Sequence, residues 1–229
     1  MKKIILIGGG IIVALLGIFF YIQHINDEKM ARLAEEIRLE EEAIKEKEDR
    51  EWQITFDRAK AKADSAKLFC EKNNLRTDYC ILVDFKVHSG KNRLFVWNFE
   101  QDTIVDANPC CHGYGNQQNR STAKKIVFSN VPGSLCSSLG KFKTAYRDKC
   151  NYGTLFQYRI HGLDKTNDNA FSRFVTLHSY SAVPDKEIYP EHIPLGYSQG
   201  CFIVSDYMLY RLDNLMKMSD IKMLIWSYY

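Results

Sequence analysis

The chain has 229 residues, 45% of them hydrophobic, with 31 basic and 28 acidic side chains, which is enough apolar material for one folded unit with a buried core. The near balance of charge hides three unequal parts: residues 1–26 carry two bases and no acid, residues 27–51 hold 11 acids and 6 bases, and residues 52–229 carry 23 bases and 17 acids. A 19-residue uncharged run at positions 4–22 argues against a purely cytosolic protein.

That run, IILIGGGIIVALLGIFFYI, approaches the roughly 20 residues needed to cross a bilayer as a helix. Lys2 and Lys3 precede it, so the positive-inside rule keeps the N-terminus in the cytoplasm and sends the rest across. It ends in Phe19, Phe20, Tyr21 and Ile22 rather than in small residues of a cleavage site, which favours an uncleaved anchor. The expectation is a single-pass protein of the inner (cytoplasmic) membrane, with residues 1–25 as transmembrane anchor and the remainder facing the periplasm.

From Asn26 to about Asn74 the sequence reads as helix, almost free of Gly and Pro, with Glu28 and Arg32, Glu41 and Lys45, and Glu46 and Arg50 at favourable i, i+4 spacing. Residues 26–57 read as a charged helical stalk. Met30, Leu33, Ile37 and Ile44 sketch a partial heptad, compatible with a homodimer through the stalk and equally with a solvated spacer. Trp52, Ile54 and Phe56 interrupt the charge where the stalk meets the folded unit, 58–229.

Beyond Leu75 the pattern turns short and β-rich. YCILVDFKV (79–87) and RLFVWNF (93–99) flank a turn-forming His88-Ser89-Gly90-Lys91-Asn92, a hairpin signature. Phe156, Tyr158 and Ile160 alternate with polar neighbours, and RFVTLHSY (173–180) and CFIV (201–204) are further strands. Ser205 caps a helix from Asp206 to about Met218, and IKMLIWSYY closes the chain as a strand. These elements define a mainly β domain with a few helices. Seven cysteines suit an oxidising compartment, but the sequence does not choose among disulfide pairings or free buried thiols. No zinc-type Cys spacing is present, and Gly8-Gly9-Gly10 lies inside the apolar run rather than in a phosphate-binding loop.

Cysteine catalysis needs a thiolate, a base beside it and donors for an oxyanion. In Gly196-Tyr197-Ser198-Gln199-Gly200-Cys201, Gly200 permits a tight turn in which N–H groups converge near the sulfur, and His178, at the end of an apolar strand, is the natural base. This arrangement resembles the catalytic motif of the YkuD-type L,D-transpeptidases, in which a His at a strand end is followed by a loop and S-x-G-C. Other blocks are similar to the murein L,D-transpeptidase subfamily: ILVDF (81–85) with SGKNRLFVWN (89–98); His112-Gly113-Tyr114-Gly115-Asn116; Phe128-Ser129-Asn130 with Ser134 and SSLGKF (137–142); and HGLDKTNDNAFSRFVTLHS (161–179). The ordered series spans roughly residues 58–229.

The resemblance implies a YkuD-like β-sandwich and a cysteine enzyme that modifies peptidoglycan stem peptides. Cys201 would attack the carbonyl of an L-centred diamino-acid residue, release the terminal D-residue and pass the acyl group to an amine. His178 would activate the thiol, the N–H groups of Gly200 and Cys201 would hold the oxyanion, Ser198 would bond within the loop, and Ser179 or a backbone carbonyl would orient the ring. No cofactor, metal or nucleic-acid partner is implied. The chain departs from the subfamily in having Tyr197 where Arg is usual and Phe202 where Pro is usual, which removes a bidentate partner for the substrate carboxylate; Arg173 is a candidate replacement, and His112 a candidate lining residue. His161 reads as bonding between strands, His24, His88 and His192 as solvent-facing, and Asp84 as anchoring a turn. Two alternatives stand beside the transpeptidase: an L,D-carboxypeptidase or endopeptidase, and a non-catalytic peptidoglycan-binding scaffold with Cys201 in a disulfide.

Overall fold

The computed structural model describes residues 2–115 and 126–229, with the side chains of residues 2–16, 18 and 195 outside the described set. Asn116, the last residue of the His112 block, therefore lies outside it. The chain divides into two compact units, Met1–Ile54 and Thr55–Tyr229, and helix α1 (Lys2–Lys72) contributes to each.

In the first unit α1 is held by its own side chains. Arg38 bonds Glu35 and, at 3.0 Å, Glu42, while Arg50 reaches Glu46 at 3.5 Å. Exposed i, i+3 and i, i+4 pairs of this kind add little to helix stability. Met30, Leu33, Ile37 and Ile44 are exposed. Among the described residues no helix is long and apolar enough to cross a membrane; most of the side chains of 4–22, on which the anchor expectation falls, lie outside the described set.

The second unit is built on one eight-stranded sheet: β1 (Tyr79–Asp84), β2 (Leu94–Asn98), β3 (Thr103–Asn108), β4 (Gly140–Lys149), β5 (Phe156–Gly162), β6 (Thr176–Ser179), β7 (Phe202–Val204) and β8 (Leu224–Tyr228). Their spatial order is β3-β2-β1-β8-β4-β5-β6-β7. The last strand slots between β1, to which it is parallel, and β4, to which it is antiparallel. Just beyond β3, Cys111 bridges Ile203 of β7, its N–H donating to the Ile203 carbonyl at 2.9 Å. The two ends of the sheet thus nearly meet, and a single barrel-like sheet replaces the expected sandwich of two.

Period-2 alternation divides the sheet's two faces. Ile81, Val83, Leu94, Val96, Phe142, Ile160, Leu177, Phe202, Val204 and Ile225 share the main core with α2 (Asp206–Lys217). Full burial of a large apolar side chain contributes about 1.5–3 kcal/mol. Helix α2 starts where Ser205 Oγ accepts from Met208 N at 3.0 Å. On the other face, Ala59, Ala63, Ala66 and Cys70 form a small-residue stripe on α1 that is 0–1% exposed and packs with Leu82, Phe95, Trp97 and Leu224. Because β1 is covered on both faces, its sequence is a continuous apolar run rather than an alternating one.

Candidate active site

Strands β6 and β7 run parallel, with Leu177 opposite Phe202 and His178 opposite Ile203. Leu177 and Phe202 point into the main core, so Thr176, His178, Cys201 and Ile203 share the outer face. The sulfur and the imidazole are therefore brought together by register. His178 and Cys201 are electrostatically coupled, each shifting the other's ionisation. His178 Nδ1 lies 2.9 Å from the Ser179 carbonyl oxygen, which makes Nδ1 the N–H donor and leaves Nε2 for the sulfur. The ring is thus oriented by the backbone of Ser179. Its hydroxyl is engaged elsewhere, accepting from Thr154 N at 3.0 Å and donating to Thr154 Oγ1 at 3.2 Å.

Electrostatics single out this thiol. Burial pushes Cys70 and Cys110 up to about 12 and raises Cys80 and Cys111 as well. Burial also opposes a charge on Cys201, but the hydrogen bond and positive charge of His178, with contacts from Thr176, hold Cys201 below its ordinary value. His178 answers in the opposite sense: burial alone would lower it, yet Cys201 and the Ser179 carbonyl keep it raised. The pair tends towards thiolate and imidazolium. All seven cysteines are free, and Cys201 is partly exposed.

The turn before Cys201 is fastened by Ser198. Its buried Oγ donates to the Cys201 carbonyl at 2.8 Å and accepts from Gly200 N at 3.1 Å. Ser198 serves the loop and not a substrate, and the Gly200 N–H, expected to face an oxyanion, is taken by it. Gly200 instead supplies conformation: its φ is +120°, and a Cβ there would sit 2.6 Å from the Cys136 carbonyl oxygen. The segment of the His112 block supports the same turn from below, Tyr114 N donating to the Ser198 carbonyl at 3.2 Å and Gly113 N to Ser137 Oγ at 3.0 Å.

His112 and Arg173 depart from their expected roles. His112 is 2% exposed, receives a 2.7 Å hydrogen bond at Nδ1 from the buried Arg93, and is pushed down to about 3 by burial and then by the Arg93 charge. It is a neutral structural residue. Arg173 spends its guanidinium on the neighbouring loop, donating from Nη1 to the Ser129 carbonyl and Ser138 Oγ and from Nη2 to Ser134 Oγ and the Cys136 carbonyl, at 2.7–3.3 Å. Tyr197 sits in a 3₁₀ turn (Leu195–Tyr197) with its ring edge-on to Tyr180 at 4.9 Å; Tyr180 meets Tyr152, which lies 6.3 Å from the His178 ring.

Of the other histidines, His24 is exposed as expected, while three fall differently. His88 and His192 are half-buried with their Nε2 atoms 2.9 Å apart, and His161 stacks on Phe171 at 4.2 Å. Asp84 accepts from Lys86 N and Arg58, as a turn anchor does. Thr176, whose Oγ1 lies 3.6 Å from Cys201 Sγ, went unremarked in the sequence although its position two residues before His178 puts it on the same face.

The mainly β domain thus places a thiol and an imidazole side by side across two parallel strands. The model of the L,D-transpeptidase catalytic domain matches residues 51–226, and the chain belongs to that family. Among curated proteins none matches. Among solved structures, the chain is similar to the helical cell shape determining protein Pgp2 from Campylobacter jejuni, with 10% identity, 65% of this chain and 46% of that one covered, and a TM-score of 0.42. It is also similar to the L,D-transpeptidase from Xylanimonas cellulosilytica DSM 15894, with 12% identity, 66% and 60% coverage and a TM-score of 0.37. The chain thus spans about half the length of these structures.

Proposed function

We propose that this domain is a cysteine L,D-transpeptidase acting on peptidoglycan stem peptides. The observation that carries the reading is the Cys201–His178 pair, with its ring fixed by the Ser179 carbonyl and its thiol held down while other buried thiols are pushed up. In the forward step the thiolate electron pair forms a C–S bond at the carbonyl of the L-centred residue. The carbonyl π pair moves to oxygen, where the Cys201 N–H is the candidate donor now that Ser198 occupies that of Gly200. Collapse breaks the C–N bond, and the leaving amine of the D-residue takes its proton from His178 Nε2. An acceptor amine then cleaves the thioester, while His178 removes the amine's proton.

Water in place of the amine would give L,D-carboxypeptidase or endopeptidase products from the same thioester. The free, imidazole-paired Cys201 suits an enzyme better than a scaffold with that cysteine in a disulfide. The uncharged run after Lys2 and Lys3 supports a single-pass anchor at residues 4–22, with the charged helix as a spacer and the domain facing the periplasm.

Incubation of the protein with tetrapeptide muropeptides, followed by mass spectrometry, tests the activity. The expected result is loss of the terminal D-residue with an acyl adduct on the Cys201 peptide, and cross-linked product when an amine acceptor is present. Turnover by Cys201→Ser at the wild-type rate would refute the assignment.

A further inference from the structure

The catalytic pair has a third member. We propose that Thr176 is a catalytic residue whose hydroxyl donates to the Cys201 sulfur and stabilises it as the thiolate. The inference rests on the reading of Cys201 as nucleophile and adds a residue to that site.

Three observations converge. First, Thr176 and His178 are i and i+2 on β6, so both project from the outer face, and the parallel register that sets His178 opposite Ile203 brings Thr176 level with Cys201. Second, the Thr176 side chain is 2% exposed, and a buried hydroxyl needs a partner; its Oγ1 donates to Sγ at 3.6 Å. Third, the sulfur has a second neighbour of opposite character, since its S–H donates to the Phe174 carbonyl oxygen, also at 3.6 Å.

The direction of that carbonyl is fixed. Phe174 has φ +57°, a left-handed conformation that bulky residues avoid. Its turn is closed by Phe174 N to the Phe171 carbonyl at 3.2 Å and by Val175 N to the Ala170 carbonyl at 2.9 Å. Arg159 lies over the rings of both Phe171 and Phe174, at 4.4 and 4.2 Å.

The sulfur therefore sits between an acceptor and a donor. The thiol's one proton turns either to His178 Nε2 or to the Phe174 carbonyl. The thiolate has no proton to give and faces the carbonyl dipole, which disfavours the charge. The Thr176 hydroxyl offsets this, because a hydrogen bond to an ionised acceptor is stronger than one to a neutral one. When the S–H bond breaks, its proton goes to His178 Nε2, the electron pair remains on Sγ, and the Thr176 O–H keeps pointing at that pair until the C–S bond forms. The other titratable or charged groups around the sulfur are His178 on the same strand, Arg173 at the turn before it, and Cys136 on the loop that Arg173 holds.

The test is alkylation of Cys201 by iodoacetamide as a function of pH in the full chain, read by mass spectrometry of the Cys201 peptide, for Thr176→Val, Thr176→Ala and Thr176→Ser. Valine preserves the shape and removes the hydroxyl, alanine covers the case in which valine fails to fold, and serine keeps the donor without the methyl. The expected result is a profile displaced to higher pH for valine and alanine, with alkylation roughly three- to tenfold slower below the wild-type midpoint, and a near wild-type profile for serine. With stem peptides, kcat should fall while KM stays. Coincident profiles for wild type and the hydroxyl-free variants, or a serine profile displaced like theirs, would overturn the proposal. Alkylation needs no substrate, so failure of the stem-peptide activity would remove the proposed function while this arm still decides the role of Thr176.

Discussion

Removing the Ser198 hydroxyl should damage the protein more than its single oxygen suggests. That atom is buried and serves two main-chain groups of the turn at Cys201, the Cys201 carbonyl at 2.8 Å and the Gly200 N–H at 3.1 Å. Alanine leaves both without a partner at a site that is 0% exposed, and an orphaned buried group costs about 1–3 kcal/mol. Partial relaxation of the turn recovers some of this, so Ser198→Ala is expected to lose about 2–4 kcal/mol. At about 2–4 °C per kcal/mol for a domain of this size, the melting temperature should drop by roughly 4–16 °C. Thermal unfolding measures the total, and hydrogen exchange at the Gly200 amide locates it, since that amide should lose protection before the β-sheet core does. A Ser198→Ala protein melting within about 1 °C of wild type, with an unchanged Gly200 amide, would refute the role of this hydroxyl as the fastening of the turn.

Three further outcomes follow from the same geometry. His178→Ala removes the imidazolium that holds Cys201 down; its alkylation profile should move to higher pH, with turnover reduced by about 10²–10⁴-fold, whereas an unmoved profile would show that the two side chains are not partners. Gly200→Ala places a Cβ 2.6 Å from the Cys136 carbonyl oxygen at φ +120° and should cost roughly 1–3 kcal/mol in urea unfolding, an unchanged midpoint refuting the close approach. Asp213 is opposed as a charge by burial, yet hydrogen bonds from Lys217 and Tyr158 and the charge of Arg147 hold it below the usual carboxylate value. Its stabilising contribution is therefore present above the unfolded-state value and is lost as pH falls through the lowered folded value, so Asp213→Asn should be weaker than wild type by about 1–3 kcal/mol at neutral pH and converge with it in acid; a gap of constant size in urea titrations across that range would contradict this.

Most of the elements were legible because their patterns are local. The alternation Phe156, Tyr158, Ile160 gave β5, and Ser205 before an amphipathic stretch gave α2, whose cap is formed as expected. Strand β4 was not legible: Lys141, Lys143, Arg147 and Lys149 place charge along it, and an irregularity between Thr144 and Arg147 breaks its period. The single sheet was not legible either, because the insertion of the final strand between β1 and β4 joins segments that no local pattern relates. In the site, Cys201 and His178 were readable from residue type and strand position, and Thr176 was within reach of the same alternation. The pairing of His88 with His192 spans 104 positions, so neither local sequence, with Ser89 beside one and Glu191 beside the other, points to it.

The two departures from the family motif have physical substitutes at the same turn. Phe202, where proline is usual, points into the core, stacks on Phe85 at 6.1 Å and meets Phe142 edge-on at 5.2 Å. An aromatic anchor one residue after Cys201 fixes the direction of that residue by packing, where proline would do so by restricting φ, and its N–H remains compatible with a strand. Tyr197, where arginine is usual, packs against Tyr180 and continues through Tyr152 to the His178 ring. That side of the site is consequently aromatic rather than cationic, and Arg173, the nearby guanidinium, already holds the loop from Ser129 to Ser138. The turn thus preserves the groups that act on the sulfur while altering those around it. The proposed chemistry depends on Cys201, His178 and the Ser179 carbonyl, none of which the two substitutions touch.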